Sequence, residues 1–306
     1  MHAVDPNRRP TLLPRCGCGA PLEWGAQSAT CRGCGSVFPN HGGVLVWTGL
    51  GAVVADDRAS ALARELFRHG HDVSEDLTRA FSTDALSDRR DEVLEVGAAD
   101  WTFLLPAHES GAVLQVGSGW GGGVLELSAR YSEVWSADSS GDLLRWQGIR
   151  RDAAGARNLH LIQVPPGLLP FPEGAFDLVS FPERAVRAAQ SGLPSLMKTT
   201  RRVLRPGGWL HVGVRRSLRA NASWIRLFQH HGFSDVRVHW AIPSSGSFVA
   251  AGRLDDSRSF VEFLRGRGWL KRNPAARLAF QAIARPMILK RVVPSLIFLA
   301  RREGAQ

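Results

Sequence analysis

The sequence predicts an α/β protein built on a doubly wound, seven-stranded, Rossmann-like sheet, and three features of the chain support this class. A short apolar run at residues 113–116 leads directly into a segment rich in glycine. Strand-like runs then alternate with helix-like segments, and the second of these runs ends in Asp138. Strand, glycine turn, helix, strand and acidic residue, in this order, are typical of a βαβ unit that binds a nucleotide cofactor.

The glycine turn has a physical reason. The backbone there must bend sharply and lie close to a ligand, where a Cβ atom would clash. The helix that follows offers unpaired N–H groups and the positive end of its dipole. The carboxylate of Asp138 can accept hydrogen bonds from two ribose hydroxyls. This unit therefore predicts a nucleotide cofactor without saying which one.

Six strand-like runs and a seventh near the end of the chain define the expected sheet. Helical segments lie between them, as expected when helices cover both faces of a mostly parallel sheet. The expected strands are 113–116, 133–137, 159–164, 176–181, 209–214, 236–242 and 295–301. One expected helix follows the glycines and ends near residue 131, and three others span 141–154, 194–204 and 219–231.

From about residue 90 to 250, and again in the last strand, the chain resembles class I S-adenosylmethionine-dependent methyltransferases. Five features match that family in order and spacing. They are the glycine motif at 117–121, Asp138, the LPFPEGAFDLV run at 169–179, the LRPGGWL turn at 204–210 and the GFSDV segment at 232–236. The resemblance implies S-adenosylmethionine as the cofactor, whereas the glycines alone also fit a dinucleotide-binding oxidoreductase.

Two positions depart from the pattern of that family. Gln115 stands where the first strand commonly carries an acid, and Pro165 stands where an Asp usually contacts adenine. Proline offers neither a side-chain hydrogen bond nor an N–H, so we expect adenine to rely on apolar packing and on nearby backbone groups. The expected cofactor-binding residues are Gly117, Ser118, Gly119, Gly121, Asp138, Ser139, Gly167, Leu168 and Ser180.

The acceptor pocket is expected over the carboxyl ends of the first, fourth and fifth strands. Methyl transfer is an in-line displacement in which positioning supplies much of the rate, and one base or none deprotonates the acceptor. Glu183, just after the fourth strand, is the candidate catalytic acid–base. The alternative is a surface Glu paired with Arg184 or Arg187, and His211 is expected to be structural.

All four cysteines lie within 19 residues, as Cys16-Gly-Cys18 and Cys31-Arg-Gly-Cys34. Two close pairs of this kind predict a structural Zn²⁺ site with four thiolate ligands. The alternative is a reduced or redox-active thiol cluster. A β-hairpin is expected at 37–46, and the whole segment resembles the small zinc ribbons that precede some methyltransferase domains.

Three regions follow from these patterns. Residues 1–48 form the zinc-ribbon-like segment, 49–110 a helical connector and 111–306 the methyltransferase domain. Within the last region, residues 243–293 are expected to form a helical insertion placed to act as a lid or acceptor-binding subdomain. The connector is expected to hold helices at 56–67, 74–81 and 88–103.

The composition is that of a soluble globular protein, with 44% hydrophobic and 22% charged residues among 306. No uncharged apolar run approaches the roughly 20 residues that span a bilayer. Residues 1–11 contain no apolar segment of the kind a secretory signal needs. We therefore expect a cytoplasmic protein without a transmembrane segment.

The net charge of +10 is unevenly spread. Residues 198–306 contain 21 Lys and Arg against 5 Asp and Glu, whereas residues 1–197 contain 17 against 23. Clustered positive charge attracts anionic partners such as RNA, a phosphorylated small molecule, a carrier-bound acceptor or an anionic membrane surface. A solvated basic face without a partner remains equally open.

The leading prediction is a methyltransferase that transfers a methyl group to O or N of a small-molecule, glycan or natural-product acceptor. That acceptor is anionic or lipid- or carrier-linked if the basic insertion binds it. An RNA methyltransferase is the second possibility, although the segment after the fourth strand is Ser-Phe-Pro-Glu and not an NPPY-type tetrad. The third is a non-catalytic protein with weakened cofactor binding, suggested by Gln115 and Pro165.

Overall fold

The structure is a computed structural model of the 306-residue chain. It describes residues 12–25, 27–47, 58–68, 98–105, 111–165, 167–189, 192–215, 221–243, 248–256 and 293–304. Within these residues, twelve strands join in one mixed sheet.

Four short strands come first and pair in sequence, each antiparallel to the next. They are β1 (Leu22–Trp24), β2 (Ser28–Cys31), β3 (Val37–His41) and β4 (Val44–Val46). The predicted hairpin at 37–46 is therefore present as β3 and β4. Its two-residue turn is Gly42-Gly43, both at positive φ, as a tight hairpin requires.

Five parallel strands form the centre of the sheet. They are β5 (Ala112–Val116), β6 (Glu133–Asp138), β7 (Leu159–Gln163), β8 (Phe176–Phe181) and β9 (Leu204–Arg215). Their spatial order is β7-β6-β5-β8-β9, and all neighbours are parallel. The strand order reverses between β5 and β8, which places the ligand-binding crevice at the carboxyl ends of these two strands.

Three further strands extend the sheet beyond β9. They are β10 (Phe233–Pro243), β11 (Phe248–Arg253) and β12 (Ser295–Arg302). β12 lies between β9 and β10 and is antiparallel to both, and β11 forms the outer edge beside β10. The predicted sheet of seven strands is therefore present as β5 to β10 and β12, but it is not the whole sheet.

The count of seven needs correction at both edges. On one side β4 pairs in parallel with β7, which attaches the N-terminal hairpin to the central sheet. On the other side, residues 248–253 of the expected helical insertion form a strand, because they pair antiparallel with β10. Residues 257–292 of that insertion lie outside the described residues, as do the expected helix at 74–81 and the part of 88–103 before residue 98.

Six α-helices and one 3₁₀ helix lie within the described residues. The α-helices are α1 (Arg58–Arg68), α2 (Gly122–Ser128), α3 (Gly141–Ala154), α4 (Glu183–Ala188), α5 (Leu193–Val203) and α6 (Asn221–His230), and the 3₁₀ helix is Asp100–Leu104. α3 begins where the Ser140 hydroxyl accepts the Leu143 N–H, and it ends at Gly155 in the left-handed conformation. Both ends are standard caps, which explains why the predicted bounds of this helix are correct.

β9 begins five residues earlier than its expected start at residue 209. Phe176 pairs with Leu204, and the register then shifts so that Leu178 pairs with Trp209. The Arg-Pro-Gly-Gly turn therefore forms a bulge inside the strand and does not precede it. Gly207, at φ +77°, supplies the backbone conformation that such a bulge needs.

The two faces of the sheet are covered by different elements. On one face, buried side chains of β5 to β9 pack with α5, α6 and residues of the N-terminal hairpins. On the other, Trp101 of the 3₁₀ helix and Val124 of α2 pack on Val113 and Leu178. None of the helices in the described part of the chain has the length and apolarity needed to cross a bilayer.

Candidate functional site

The glycine turn between β5 and α2 has no room for side chains. Gly117, Gly119 and Gly121 all have positive φ, at 68°, 63° and 85°. A Cβ atom on Gly117 would lie 2.6 Å from the Cβ atom of Ala185 in α4, and one on Gly121 would lie 2.5 Å from Cγ of Gln147. The turn therefore needs glycine both for its conformation and for close packing.

Asp138 closes this turn from the end of β6. Its Oδ2 atom accepts the Gly119 N–H at 3.1 Å, and its Oδ1 atom accepts the Ser140 N–H at 2.9 Å. The residue is only 5% exposed. Each carboxylate oxygen can accept a second hydrogen bond. Asp138 can thus hold the turn and still receive ribose hydroxyls.

A buried hydrogen-bond network lies directly beneath the turn. The Gln147 amide donates to Ser118 Oγ at 2.9 Å and to the Gly119 carbonyl at 2.7 Å. Its oxygen accepts the Ser136 hydroxyl at 2.6 Å, and the Ser118 and Ser136 hydroxyls are also 2.6 Å apart. Sequence analysis missed Gln147; its only local signal is its place one turn after Leu143 and Leu144, which are buried with it in α3.

Ser139 and the residues after β7 form the side of the site expected to face adenine. The Val164 N–H donates to the Asp138 carbonyl at 3.0 Å, and Gln163 Nε2 donates to the Ser139 carbonyl at 3.0 Å. Gly167 has φ +85°, and its carbonyl accepts the Thr199 hydroxyl at 3.3 Å. The same hydroxyl lies closer, at 3.0 Å, to the Ser195 and Leu196 carbonyls of its own helix, so its contact with Gly167 is the longest of the three.

The Leu168 N–H donates to the Pro165 carbonyl at 3.2 Å, so it too has a partner within the chain. The Leu168 N–H is thus used locally, whereas the Gly167 N–H and the Leu168 carbonyl have no partner among the described residues. Apolar packing, from residues such as Leu168 itself, is a further interaction that this wall offers to a planar base.

Ser180 lies in the floor of the site, beneath its edge. It is fully buried in β8, and its Oγ atom is 2.9 Å from Nδ1 of His211 in β9. The His211 ring stacks on Trp101 at 3.7 Å with parallel planes. Burial lowers the pKa of His211 to about 3, which keeps the imidazole neutral. His211 is therefore structural, as the sequence predicts.

Glu183 begins α4 and joins three elements. One of its oxygens accepts Arg215 Nε at the end of β9, at 2.6 Å. The other accepts the Ser295 hydroxyl at the start of β12, also at 2.6 Å. Among the described contacts, the ion-pair partner of Glu183 is Arg215. Both carboxylate oxygens have partners, so a role as acid–base requires one of these contacts to open.

Two buried polar atoms beside the turn have no hydrogen-bond partner among the described residues. They are Oε1 of Gln115, one residue before the end of β5, and Nε1 of Trp120 within the turn. Both residues are at least 97% buried. Gln115 lies against Gly123 of α2, and Trp120 packs with Trp146 of α3, so both atoms are enclosed by the protein beside the turn. The fit to a nucleotide-type cofactor therefore rests on the close glycine turn and the Asp138 carboxylate.

The predicted residues divide into three groups in space. The glycine turn, Asp138 and Ser139 are joined directly by the contacts above. Gly167 and Leu168 connect to them through the end of β7. Ser180 and Glu183 lie along β8 and α4, next to Gly117, but contact β9 and β12 instead of the turn.

A separate open cleft of about 830 Å³ lies at the opposite, amino end of the strands, between α5 and the turn after α6. Its lining includes Lys198 in the middle of α5, Arg201 in the last turn of α5 and His230 at the end of α6. Basic side chains at helix C-termini complement the partial negative charge there. We therefore assign no ligand to this cleft.

The four cysteines converge in the N-terminal segment. Their Sγ atoms all lie within 4.8 Å of one another. Cys16 and Cys34 are 3.5 Å apart, and Cys18 and Cys31 are 3.4 Å apart. Tetrahedral coordination with Zn–S bonds of about 2.3 Å places sulfurs at roughly this spacing. The donor set fits one tetrahedral metal ion with no open position.

Two of the thiols are already biased toward thiolate. Hydrogen bonds from the Ser36 hydroxyl and backbone lower the pKa of Cys34 to about 6. Backbone N–H groups of Cys34 and Gly33 lower the pKa of Cys31. The Cys18 backbone lowers the pKa of Cys16, yet burial and the neighbouring thiols together raise it to about 11. The thiols that are still protonated release their protons when a metal ion binds, because the metal binds the thiolate form.

The fold and the glycine–aspartate turn define an α/β protein of the nucleotide-cofactor class. Residues 113–208 match the family model described as "Methyltransferase domain". Residues 113–208, about a third of the chain, are therefore similar to a methyltransferase domain. The match covers β5 to the early part of β9, including every predicted cofactor-binding residue. A search of curated protein sequences finds no match.

Solved structures with similar folds include YcgJ from Bacillus subtilis, at 16% identity and a TM-score of 0.47, covering 68% of this chain and 99% of that one. Phosphoethanolamine N-methyltransferase 2 from Haemonchus contortus, in complex with S-adenosyl-L-methionine, has 14% identity and a TM-score of 0.46. The alignment covers 70% of this chain and 53% of that one. A SAM-dependent methyltransferase from Aquifex aeolicus has 14% identity and a TM-score of 0.41, and the alignment covers 47% of this chain and 83% of that one. At these values the likenesses carry no argument about function.

Proposed function

We propose that the protein is an S-adenosylmethionine-dependent methyltransferase acting on O or N of a small-molecule, glycan or natural-product acceptor. The observation that carries the proposal is the closed contact between the glycine turn and the Asp138 carboxylate, within the segment that matches the methyltransferase family. It leaves a buried, fixed carboxylate beside a turn of positive-φ glycines, which is what a ribose and the rest of the cofactor require.

The cofactor supplies an activated methyl group on a sulfonium, so the chain must mainly bind and orient. Asp138 would hold the ribose hydroxyls, and the turn would approach the rest of the cofactor closely. Gln147 keeps the turn in place through Ser118 and the Gly119 carbonyl. If the acceptor needs a base, Glu183 is our candidate, released from Arg215 or Ser295.

Calorimetric titration with S-adenosylhomocysteine is the direct test of cofactor binding. We expect micromolar affinity, weakened by the absence of an acid at Pro165. Mass spectrometry of the purified protein under native conditions should also retain the cofactor. If S-adenosylhomocysteine binding is undetectable, the proposal that the protein is a methyltransferase is rejected and the non-catalytic alternative is favoured.

RNA is the second acceptor class, and the charge distribution favours it. The last 109 residues carry 21 Lys and Arg against 5 Asp and Glu. An RNA-binding enzyme would lose affinity for RNA linearly on a log–log plot against salt, with a slope that reflects several released counterions. A flat salt dependence, or no RNA binding at 150 mM salt, would leave the small-molecule acceptor classes.

We also propose that Cys16, Cys18, Cys31 and Cys34 hold one structural Zn²⁺ ion. The support is that the four sulfur atoms lie close together and that four thiolates fill the four positions of a tetrahedral Zn²⁺ site. Elemental analysis should give one zinc per chain. A redox-active cluster would instead give disulfides by mass spectrometry after purification without reductant, and no metal.

A further inference from the structure

The N-terminal ribbon, residues 12–47, covers a face of the sheet where a crossover helix is normally found. Parallel strands are usually joined by a helix that packs on the sheet. The described residues between β7 and β8 contain no helix. On that side, Trp135 and Ile162 of β6 and β7 are buried in one apolar cluster with ribbon residues, among them Leu22, Phe38 and Leu45.

Two of the four thiols belong to that apolar cluster. Cys16 is 8% exposed and Cys31 is 2% exposed, and both pack in the cluster that contains Trp135 and Phe171. Cys18 and Cys34 are exposed. The metal-binding knuckle is therefore part of the core of the methyltransferase domain on one side and open to solvent on the other.

Hydrogen bonds tie the ribbon to the segment after β7. The Arg15 N–H, next to Cys16, donates to the Pro170 carbonyl at 2.7 Å. The Leu12 N–H donates at 3.0 Å to Glu133 Oε1, which also accepts Trp135 Nε1 at 3.0 Å. These contacts fix residues 169–171 and the start of β6 against the knuckle.

A second connection runs along the sheet to the ribose side. β4 pairs with β7 from Val44 opposite Leu161 to Val46 opposite Gln163. The ladder continues where the Trp47 N–H donates to the Gln163 carbonyl at 2.9 Å, and the Trp47 ring stacks on Phe38 at 4.2 Å. Gln163 in turn donates to the Ser139 carbonyl, beside Asp138.

From this placement we infer that the ribbon is the supporting wall of the adenine side of the cofactor site, so that metal occupancy in the knuckle controls cofactor affinity. The inference rests on the proposed function for its affinity readout. Its physical basis is that residues 163–171 have no crossover helix behind them in the described structure. On the ribbon side their support comes from Arg15, Trp47 and the apolar face of the knuckle, and on the other side Arg202 of α5 donates to the carbonyls of Leu169 and Phe171.

The first test uses the double variant Cys18→Ser, Cys34→Ser, which removes the two exposed ligands and leaves the buried pair in the core. Zinc content, amide hydrogen exchange and calorimetry with S-adenosylhomocysteine are measured on the full chain. We expect zinc to be lost, amide protection to fall in residues 159–171 but not in β8 or β9, and affinity to drop by a factor of about ten.

Arg32→Ala is the matched control, because Arg32 lies in the same knuckle and its ion pair with Glu23 is largely exposed. It should keep zinc, protection and affinity. Trp47→Ala removes the ring stack on Phe38, keeps the backbone bond to Gln163 and does not touch the thiolates. It should keep zinc, lower protection at residues 159–164 and weaken S-adenosylhomocysteine binding several-fold.

Each outcome decides the inference. Unchanged protection and affinity in the zinc-free variant, or in Trp47→Ala, would overturn it while the proposed function stands. Loss of protection throughout the chain would also overturn it, because the ribbon would then be a general folding requirement. If the wild-type protein binds no S-adenosylhomocysteine, the proposed function fails, and the exchange measurement still decides whether the knuckle supports residues 159–171.

Discussion

At the scale of single residues, the site depends on groups that face one another at hydrogen-bond distance in a buried setting. Asp138 is the central one, since it receives the N–H groups of Gly119 and Ser140 and is the candidate ribose ligand. Its carboxylate is a charged acceptor, and hydrogen bonds to charged groups contribute more than neutral ones.

Asp138→Asn should therefore weaken S-adenosylhomocysteine binding by roughly tenfold to a hundredfold, measured by calorimetry. The amide keeps the shape but turns one acceptor into a donor that faces a backbone N–H. Asp142→Asn is the control, because Asp142 lies one turn further on, in a half-exposed ion pair with Arg64. Equal effects of the two substitutions would contradict the assigned role of Asp138.

Gly121 and Gly155 form a matched pair for the glycine turn. Both have positive φ, but a Cβ atom meets Gln147 only at Gly121, while nothing lies within 4 Å at Gly155. Gly155→Ala should lower the free energy of unfolding by about 1 kcal/mol through backbone strain alone. Gly121→Ala should lower it by about 2 kcal/mol or more and also weaken cofactor binding. Urea unfolding and calorimetry would show whether the two differ.

Protonation of His211 makes the free energy of unfolding depend on pH. Its folded-state pKa of about 3 lies below the ordinary value of 6.5, so the unfolded chain binds a proton that the folded chain does not. Its contribution is fully present above about pH 6.5 and is lost as the pH falls toward 3. The slope there approaches about 1.4 kcal/mol per pH unit.

The measurement compares urea unfolding of the wild type and His211→Gln at pH 7 and pH 5. The variant should be less stable at pH 7 because the stack on Trp101 is lost, yet its stability should fall less between the two pH values. His160 and His239, with pKa values lowered by burial to about 4, remain in both proteins and cancel in the difference. Identical pH dependence would show that His211 is not buried as described.

At the scale of elements, α4 is fixed by its first residue. Glu183 accepts the Ser295 hydroxyl, and Ser295 is 1% exposed, so this bond is protected from water. The Arg215 side chain is 62% exposed, and an ion pair of that kind contributes little. The bond to β12 is therefore the one that stabilises the start of α4.

Glu183→Ala should lower the free energy of unfolding by about 1–2 kcal/mol, whereas Arg215→Ala should change it by less than about 0.5 kcal/mol. Urea denaturation measures both. Neither substitution should change the affinity for S-adenosylhomocysteine, because Glu183 faces β9 and β12. A loss of affinity in Glu183→Ala would place the side chain in the cofactor site instead.

The sequence predicts the elements whose signals are local. The strands β5 to β8, the bounds of α3 and the clustered cysteines are read from short patterns, and the structure confirms them. Pairing between distant segments leaves no such pattern. Glu183 and Ser295 are 112 residues apart in the sequence. The strand β4 has only three residues, and β11 is recognised as a strand only through its pairing with β10.

Gln147 shows a second limit. Its position in α3 is predicted, but its three hydrogen-bond partners come from the turn and from β6, and they become visible only when the helix lies on the sheet. The adenine side shows the opposite case. The sequence predicts backbone groups at 167 and 168 as ligands; the Leu168 N–H is bonded to the Pro165 carbonyl, and the role of Gly167 stays a prediction.

At the scale of the whole molecule, the sheet has two edges of different character. At one edge, β4 covers β7, and the last strand beyond it, β1, has only three residues. At the other edge lies β11, which carries the ion pair of Arg253 with Asp255 just beyond its end. Short or charged edge strands resist pairing with strands of other molecules.

The pairing of β4 with β7 therefore bears on solubility as well as on the site. If the ribbon unfolds, Leu159–Gln163 becomes the free edge of a parallel sheet, with apolar side chains on both faces and its backbone groups unpaired. Removing zinc with a chelator should then cause association between molecules, seen as increased light scattering at micromolar concentration. A chelated protein that stays monomeric would show that the edge is closed by other means. The four thiolates that we propose to support the cofactor site would thus also protect the chain from self-association.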